Sequence, residues 1–213
     1  MRTDRGLDRF ITFLDAVVAI AITLLVLPLA EVLGGAHLPA DVADVFTQNA
    51  GRFGAFLVSF AVIARLWTGH HRMVERVGGY DTAFVMVNLG WVLTIVFLPF
   101  ATQLAAAYPA RDRLAMAVYV GTITVSSVFL AVAAVLIWRR PGLRREGVSE
   151  RDAFPRAAFL TTGALLLAFV LATAIPAVNY FGLLLLLLTG PADRLLPGRR
   201  AARKSLDPPV DAG

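Results

Sequence analysis

Long apolar runs separated by short charged segments dominate this chain. A helix that crosses the hydrocarbon core of a bilayer needs about 20 apolar residues. Four runs of at least about that length come first, at residues 10–29, 45–68, 82–107 and 114–138. The third and fourth contain no charged residue, whereas the second carries Arg52 and Arg65 near its ends. The pattern therefore predicts four membrane-spanning helices over these residues.

A fifth charge-free stretch, residues 157–192, is too long for one crossing. At about 1.5 Å per residue a single helix of this length would reach roughly 54 Å, far beyond the bilayer core. We expect a turn at Ile175-Pro176-Ala177-Val178-Asn179, because proline suits the first turn of a helix. The turn divides the stretch into a fifth and a sixth membrane-spanning helix. The sequence thus predicts an all-α integral membrane protein, with a six-helix transmembrane domain over residues 1–192 and a disordered, basic, proline-containing tail over residues 193–213.

Basic residues are concentrated in alternate connections between the predicted helices. Sixteen of the 20 lysines and arginines lie in the N-terminus, the second loop, the fourth loop and the tail, whereas the third loop has only Arg111 and Arg113. Basic connections remain on the cytoplasmic side of a membrane. Both termini are therefore predicted to be cytoplasmic, which requires an even number of crossings.

The composition agrees with a membrane protein and excludes several other classes. The chain is 58% hydrophobic and 16% charged, and its mean hydropathy is +0.71. The net charge of +5 comes from residues that form no continuous stripe, which argues against nucleic-acid binding. Cysteine is absent and the three histidines are too scattered for a metal site, so we expect no resident metal or cofactor. The membrane segments also lack a nucleophile–base pair, so an enzyme is not expected.

The first predicted helix has one bulky apolar face. At about 100° per residue, Phe13, Ile20, Leu24 and Leu27 lie within roughly 40° of one direction, with Thr23 about 60° from Ile20. Such a face usually contacts lipid or a neighbouring helix. It can also form a hydrophobic constriction, in which apolar side chains narrow a water-filled pathway.

Asp15 points about 140° away from that face and is costly at membrane depth, so it needs a protein or water partner. One interpretation is an ion pair that ties helices together, with Arg65 or the cluster His70-His71-Arg72 as partner. The other is a proton or cation site, which would make the protein an ion-coupled secondary transporter. No clear internal repeat or broken helix supports that alternative.

Three stretches resemble the transmembrane protein 175 family of potassium channels. The first, Arg9-Phe10-Ile11-Thr12-Phe13-Leu14-Asp15 running into residues 16–27, is similar to the first-helix signature of Arg, three residues, then Phe-Ser-Asp. The second is Ser59-Phe60-Ala61-Val62-Ile63 with Trp67 and His70-His71-Arg72. The third is Asn88-Leu89 with Leu98-Pro99-Phe100.

The resemblance implies a potassium-selective channel in a bacterial plasma membrane that conducts passively and lacks the Thr-Val-Gly-Tyr-Gly filter. It implies a homotetramer of six-helix subunits with the first helix of each lining a central pore. Carried onto this chain, the apolar constrictions fall at Ile20, Leu24 and Leu27, and the hydroxyl linked to selectivity falls at Thr23. Arg9, Asp15 and the His70-His71-Arg72 cluster would form a polar network behind the pore.

Two residues depart from the family pattern. Leu14 stands where the signature has serine, so one hydrogen bond of the network is absent. Pro28 occupies a position that is often acidic, which makes the extracellular mouth less attractive to cations. Either departure is expected to alter conductance and to leave the fold unchanged.

Overall fold

The computed structural model describes residues 4–34, 40–109 and 112–174, with side chains described between residues 5 and 170. This part of the chain is helical apart from short connections. In chain order the helices are α1 Asp4–Leu24, α2 Leu27–Leu33, α3 Val42–Gln48, α4 Ala50–Val74, α5 Thr82–Ala107, α6 Arg113–Arg139, a 3-10 helix Pro141–Leu143, α7 Glu150–Ala153 and α8 Arg156–Ala174.

Five spans within the described residues are long and apolar enough to cross a membrane. They are α1 with α2 taken together, α4, α5, α6, and the helical segment that ends with α8. The predicted third helix matches α5 at both ends, and the predicted fourth is one residue shorter than α6 at each end. The predicted sixth helix and the basic tail lie outside the described residues.

The first predicted helix is interrupted near its end. It begins six residues earlier than expected, at Asp4, and α1 stops at Leu24. Pro28 explains the interruption, because it has no N–H to donate to the Leu24 carbonyl in a continuous helix. The N–H groups of Leu25 and Val26 instead donate to the carbonyls three residues earlier, those of Ile22 and Thr23, at 3.3 and 3.2 Å. Pro28 lies in the first turn of α2.

The second predicted helix was placed too early. Residues 42–48 form the separate helix α3, and α4 begins at Ala50 and continues to Val74, six residues beyond the predicted end. Arg72, which was expected in the loop after the helix, is therefore part of α4, whereas Arg76 follows it as expected. His70 is 1% exposed within α4, so packing of its ring stabilises the extra turns that hydropathy does not indicate.

Helices α5 and α6 form the centre of the bundle, with α1, α4 and α8 packed around them. The main apolar cluster draws residues from all five, among them Leu14, Ile63, Ile95 and Ile123, which are at most 1% exposed. Gly90 of α5 lets the two central helices approach closely, because a Cβ there would lie 2.5 Å from the ring of Phe129.

Three of the basic segments lie at one end of the bundle. Val77, in the connection after α4, pairs with Arg144 in the connection after α6, and the Arg145 N–H donates to the Arg76 carbonyl at 2.9 Å. Leu7 of α1 joins the apolar cluster beneath these connections. This end is called the basic end below. The cytoplasmic location of the basic end remains a prediction from the charge distribution.

Candidate functional site

The exposed face of α1 contains three of the four residues that helical periodicity grouped. Ile20 and Leu24 are 58% and 38% exposed in the subunit, and Phe13 is exposed beside them. Leu27 is 50% exposed but lies beyond the interruption, as the first residue of α2. Thr23 is also exposed, while Ala16 and Ala19 place small side chains on the same surface. The subunit therefore presents an apolar helix face that its own described helices leave uncovered.

The opposite face of α1 holds the helix in the bundle. Leu14, Val18 and Ala21 of α1, and Leu25 directly after it, are at most 3% exposed and belong to the main apolar cluster. They recur at intervals of three or four residues, as a stripe on one side of a helix does. Leu14, which departs from the family signature, is therefore a core residue in this chain.

Thr23 has a defined hydroxyl orientation. Its Oγ1 donates to the Ile20 carbonyl at 2.7 Å, a local bond within the same helix. A hydroxyl has one hydrogen to donate and two lone pairs to accept with. Because the hydrogen is engaged by the backbone, the exposed oxygen offers lone pairs, which a partly dehydrated cation can contact.

Asp15 lies on the flank between the two faces and contacts α4. The indole Nε1 of Trp67 donates to its Oδ1 at 2.9 Å. The sequence pattern suggested Arg65 or the His70-His71-Arg72 cluster as the partner of Asp15, and not Trp67. This contact spans 52 residues and fixes the rotation of α1 relative to α4.

His70 forms a second polar contact, buried between α4 and α5. The amide nitrogen of Asn88 donates to the Phe84 carbonyl at 2.8 Å, so the Asn88 Oδ1 is the atom that accepts from His70 Nε2 at 2.9 Å. The His70 ring also stacks on Trp91, with 4.1 Å between ring centroids and 5° between planes. This geometry leaves Nδ1 of a neutral ring as an acceptor, and no hydrogen-bond partner for it exists among the described residues.

The remaining members of the predicted network are less closely associated. His71 is exposed, stacks on Trp67 at 5.3 Å and lies 3.8 Å from Glu75. Arg72 is exposed on the next residue of α4. Arg9 is exposed on α1, and the described residues provide it with no hydrogen bond or ion pair. The subunit thus brings Asp15, Trp67 and His71 together and buries His70 beside them on α4.

A separate hydroxyl cluster joins α4, α5 and α6 nearer the other end of the bundle. Ser59 Oγ lies 2.8 Å from the Tyr119 hydroxyl, and Thr102 Oγ1 lies within 2.8 Å of both Ser59 Oγ and the Leu98 carbonyl. This hydroxyl cluster was not predicted from the sequence. The available signal was three hydroxyl residues inside apolar runs, but their spacing along the chain does not show that they meet.

The described residues contain five long apolar spans joined by buried polar contacts, as a multi-pass helical membrane protein does. A family model described as endosomal/lysosomal potassium channel TMEM175 matches residues 9–99. A potassium channel from Chamaesiphon minutus is 32% identical over 177 residues, covering 76% of this chain and 82% of that protein. The chain belongs to the TMEM175 family.

Further relatives include proteins named as potassium channels and proteins named as proton channels. A potassium channel from Streptomyces collinus is 32% identical over 129 residues, covering 59% of this chain and 60% of that protein. The human endosomal/lysosomal proton channel TMEM175 is 29% identical over 104 residues, which cover 48% of this chain and 20% of that protein.

The fold has a solved counterpart. The crystal structure of a lysosomal potassium-selective channel TMEM175 homolog from Chamaesiphon minutus matches with a TM-score of 0.70 and 27% identity. The match covers 89% of this chain and 98% of that chain. The all-helical architecture of the described residues is thus shared with a protein of this family.

Proposed function

We propose that this protein is a potassium-selective cation channel of a bacterial plasma membrane. Four copies would assemble around a central pore lined by the exposed face of α1, with constrictions at Ile20, Leu24 and Leu27 and a hydroxyl layer at Thr23. The observation that carries the proposal is the two-sided character of α1, because one face is buried in the subunit and the other is apolar, exposed and interrupted by a hydroxyl.

The exposed face of α1 differs from the exposed face of α5. Along α1 the small residues Ala16, Ala19 and Thr23 recur at intervals of three and four, so they form a stripe beside the bulky side chains of Ile20 and Leu24. Small residues allow helices to approach one another closely in a membrane. The middle of the exposed face of α5 carries bulky side chains, those of Met86, Leu93, Val96, Phe97 and Phe100. Bulky side chains suit a surface that contacts lipid, because no second helix has to pack closely against it. Self-association through α1 follows from this difference.

Conduction in this arrangement is passive. Apolar layers narrow the water-filled path and set how easily it is wetted, while the ion gradient supplies the driving force. The Thr23 oxygen replaces part of the hydration shell of a passing cation. The bond from Trp67 to Asp15 holds α1 at the rotation that turns Ile20 and Leu24 away from the subunit core.

Potassium is the ion we assign, because the two bacterial relatives at 32% identity carry that name. The human and mouse relatives are named proton channels and match about half of this chain. The test must therefore measure potassium, sodium and protons separately.

Purified protein reconstituted in liposomes tests the proposal. We expect potassium flux that exceeds sodium flux, with no requirement for a proton gradient. Ile20→Asn should raise the flux several-fold, because an amide wets an apolar constriction. Leu93→Asn is the matched control, since Leu93 is also exposed, at 68%, but lies on α5. Equal effects of the two substitutions, or equal potassium and sodium flux in the unmodified protein, would refute the assigned pore face or the assigned selectivity.

The transporter alternative makes a different prediction. If Asp15 is a coupling site, flux will saturate, follow an imposed proton gradient and disappear in Asp15→Asn. A passive channel instead retains flux in the Asp15→Asn variant, because the amide oxygen of the new side chain can still accept a hydrogen bond from the Trp67 indole.

A further inference from the structure

Among the described residues, a groove between α6 and α8 opens on the outer surface of the bundle. Its volume is about 400 Å³. The apolar lining consists of Val128, Ala131, Val132, Val135 and Leu136 from α6 and Phe159 from α8. Thr162 also faces the groove, but its hydroxyl donates to the Ser127 carbonyl at 3.1 Å, so an apolar occupant meets no unpaired hydroxyl hydrogen there.

The groove has the length of one membrane leaflet. It follows α6 from Val128 to Arg139, a rise of roughly 16 Å at about 1.5 Å per residue. The hydrocarbon core of a bilayer is about 30 Å thick, so one leaflet occupies about half of this distance. Val128 lies near the middle of α6 and Arg139 is its last residue. An acyl chain from one leaflet therefore fits along the groove.

Positive charge is confined to one end of the groove. Arg139 is exposed there, and Arg140 lines the same end while pairing through Nη1 with Asp81. That pair uses part of a guanidinium that has five N–H donors. The last carbonyls of α6 do not need Arg139, because Arg144 donates to the carbonyls of Ile137 and Trp138 at 3.2 and 2.7 Å.

Aromatic side chains surround the same end. The rings of Trp138 and Phe154 meet edge to face at 5.2 Å, and Phe154 contacts Phe159 at 6.2 Å. The Arg156 guanidinium lies 5.7 Å from the Phe154 ring. Arginines beside tryptophan and phenylalanine are typical of the layer where lipid headgroups meet hydrocarbon.

We propose that this groove is a binding site for an anionic phospholipid of the leaflet at the basic end. One acyl chain lies along Val128, Val132 and Val135, and the phosphate contacts Arg139 and the free donors of Arg140. Basic pockets between transmembrane helices recognise anionic headgroups in this way.

Native mass spectrometry of the full-length protein in detergent tests the headgroup contact. Phosphatidylglycerol and phosphatidylcholine with identical acyl chains are titrated in parallel. We expect tighter binding of phosphatidylglycerol, and Arg139→Gln should weaken it about fivefold while phosphatidylcholine binding is unchanged. Arg145→Gln is the matched control, because Arg145 is exposed at the same end but does not line the groove. Equal binding of the two lipids, or equal effects of the two substitutions, overturns the proposal.

Filling the groove tests the acyl-chain contact separately. Val132→Trp should abolish specific binding of phosphatidylglycerol. Val125→Trp should not, since Val125 is similarly exposed on α6 but lies outside the groove. Retained binding in Val132→Trp contradicts the proposal. A smaller oligomer mass in Val132→Trp alone also contradicts it, because the groove would then be a contact between subunits.

Discussion

The two faces of α1 have similar composition and opposite surroundings. Leu14, Val18 and Ala21 are almost fully buried in the subunit, whereas Ile20 and Leu24 are exposed. Both sets are aliphatic and interleave along the same 21-residue helix. Hydropathy assigns both to the membrane and distinguishes neither from the other. What separates them is whether neighbouring helices supply side chains that fit against them.

This difference has an energetic consequence. Lipid tails are as apolar as leucine, so burying an aliphatic side chain against protein instead of lipid gains little transfer free energy. The gain comes from close packing, and it is lost when a cavity is left behind. The buried face of α1 should therefore determine stability, and the exposed face should determine conduction.

The largest expected effect is loss of stability from the buried face. Leu14→Ala should lower the free energy of unfolding by about 2–3 kcal/mol, because it leaves a cavity in the main apolar cluster. Ile20→Ala should change the same free energy by less than about 0.5 kcal/mol, as substitutions at exposed positions do. Denaturation followed by circular dichroism in detergent micelles measures both. Similar losses for the two variants would show that Ile20 is packed as tightly as Leu14.

Leu14→Ser sharpens this comparison, since it restores the residue of the family signature. We expect it to cost at least as much stability as Leu14→Ala, because a hydroxyl in an apolar cluster needs a partner. A serine variant more stable than the alanine variant would show that the polar network still has an acceptor available for it.

The sequence predicts the bounds of α5 and α6 well, and the reason is local. The Asp81 side chain accepts from the Phe84 N–H at 2.8 Å, and Asp112 accepts from the N–H groups of Leu114 and Ala115, so each helix starts at an N-cap visible in the sequence. Uninterrupted apolar residues follow in each case. Hydropathy and capping agree at these positions.

Hydropathy and capping do not predict the bounds of a helix whose end is stabilised by contacts between residues that are distant in the sequence. The last turns of α4 contain charged and polar residues, and they are buried through the stacking of His70 on Trp91, its bond to Asn88 and the packing of Met73 and Val74 in the second apolar cluster. Asn88 is visible in the sequence as an amide at membrane depth, but its partner is not. The exposed positions of Ile20 and Leu24 were predictable from periodicity, whereas Leu27 lies beyond the break after α1, where that periodicity no longer applies. Whether they face a pore or lipid was not predictable, since both environments accept aliphatic side chains.

A smaller effect is expected where α1 is anchored to α4. Trp67→Phe keeps an aromatic ring beside His71 and removes the N–H that bonds Asp15, which should cost about 1 kcal/mol of stability. It should also change potassium flux, because the rotation of α1 is no longer fixed. Trp138→Phe is the matched control, since Trp138 lies at the basic end and makes an edge contact with Phe154. Unchanged flux in Trp67→Phe would mean that packing of the buried face alone sets the rotation of α1.

The smallest effect on stability, and the most informative about conduction, is expected at Thr23. Valine has nearly the same shape as threonine, so Thr23→Val should leave the free energy of unfolding within about 0.5 kcal/mol of the unmodified protein. It removes the oxygen that we assign to cation contact, and the potassium-to-sodium flux ratio should fall roughly two- to fivefold, equivalent to a polar contact of about 0.5–1 kcal/mol. Thr122→Val provides the control, because the Thr122 hydroxyl makes the same kind of helical bond, at 2.6 Å to the Val118 carbonyl, but lies on α6. If both variants keep the original flux ratio, selectivity does not depend on the Thr23 hydroxyl. In that case the exposed face of α1 acts only as an apolar constriction.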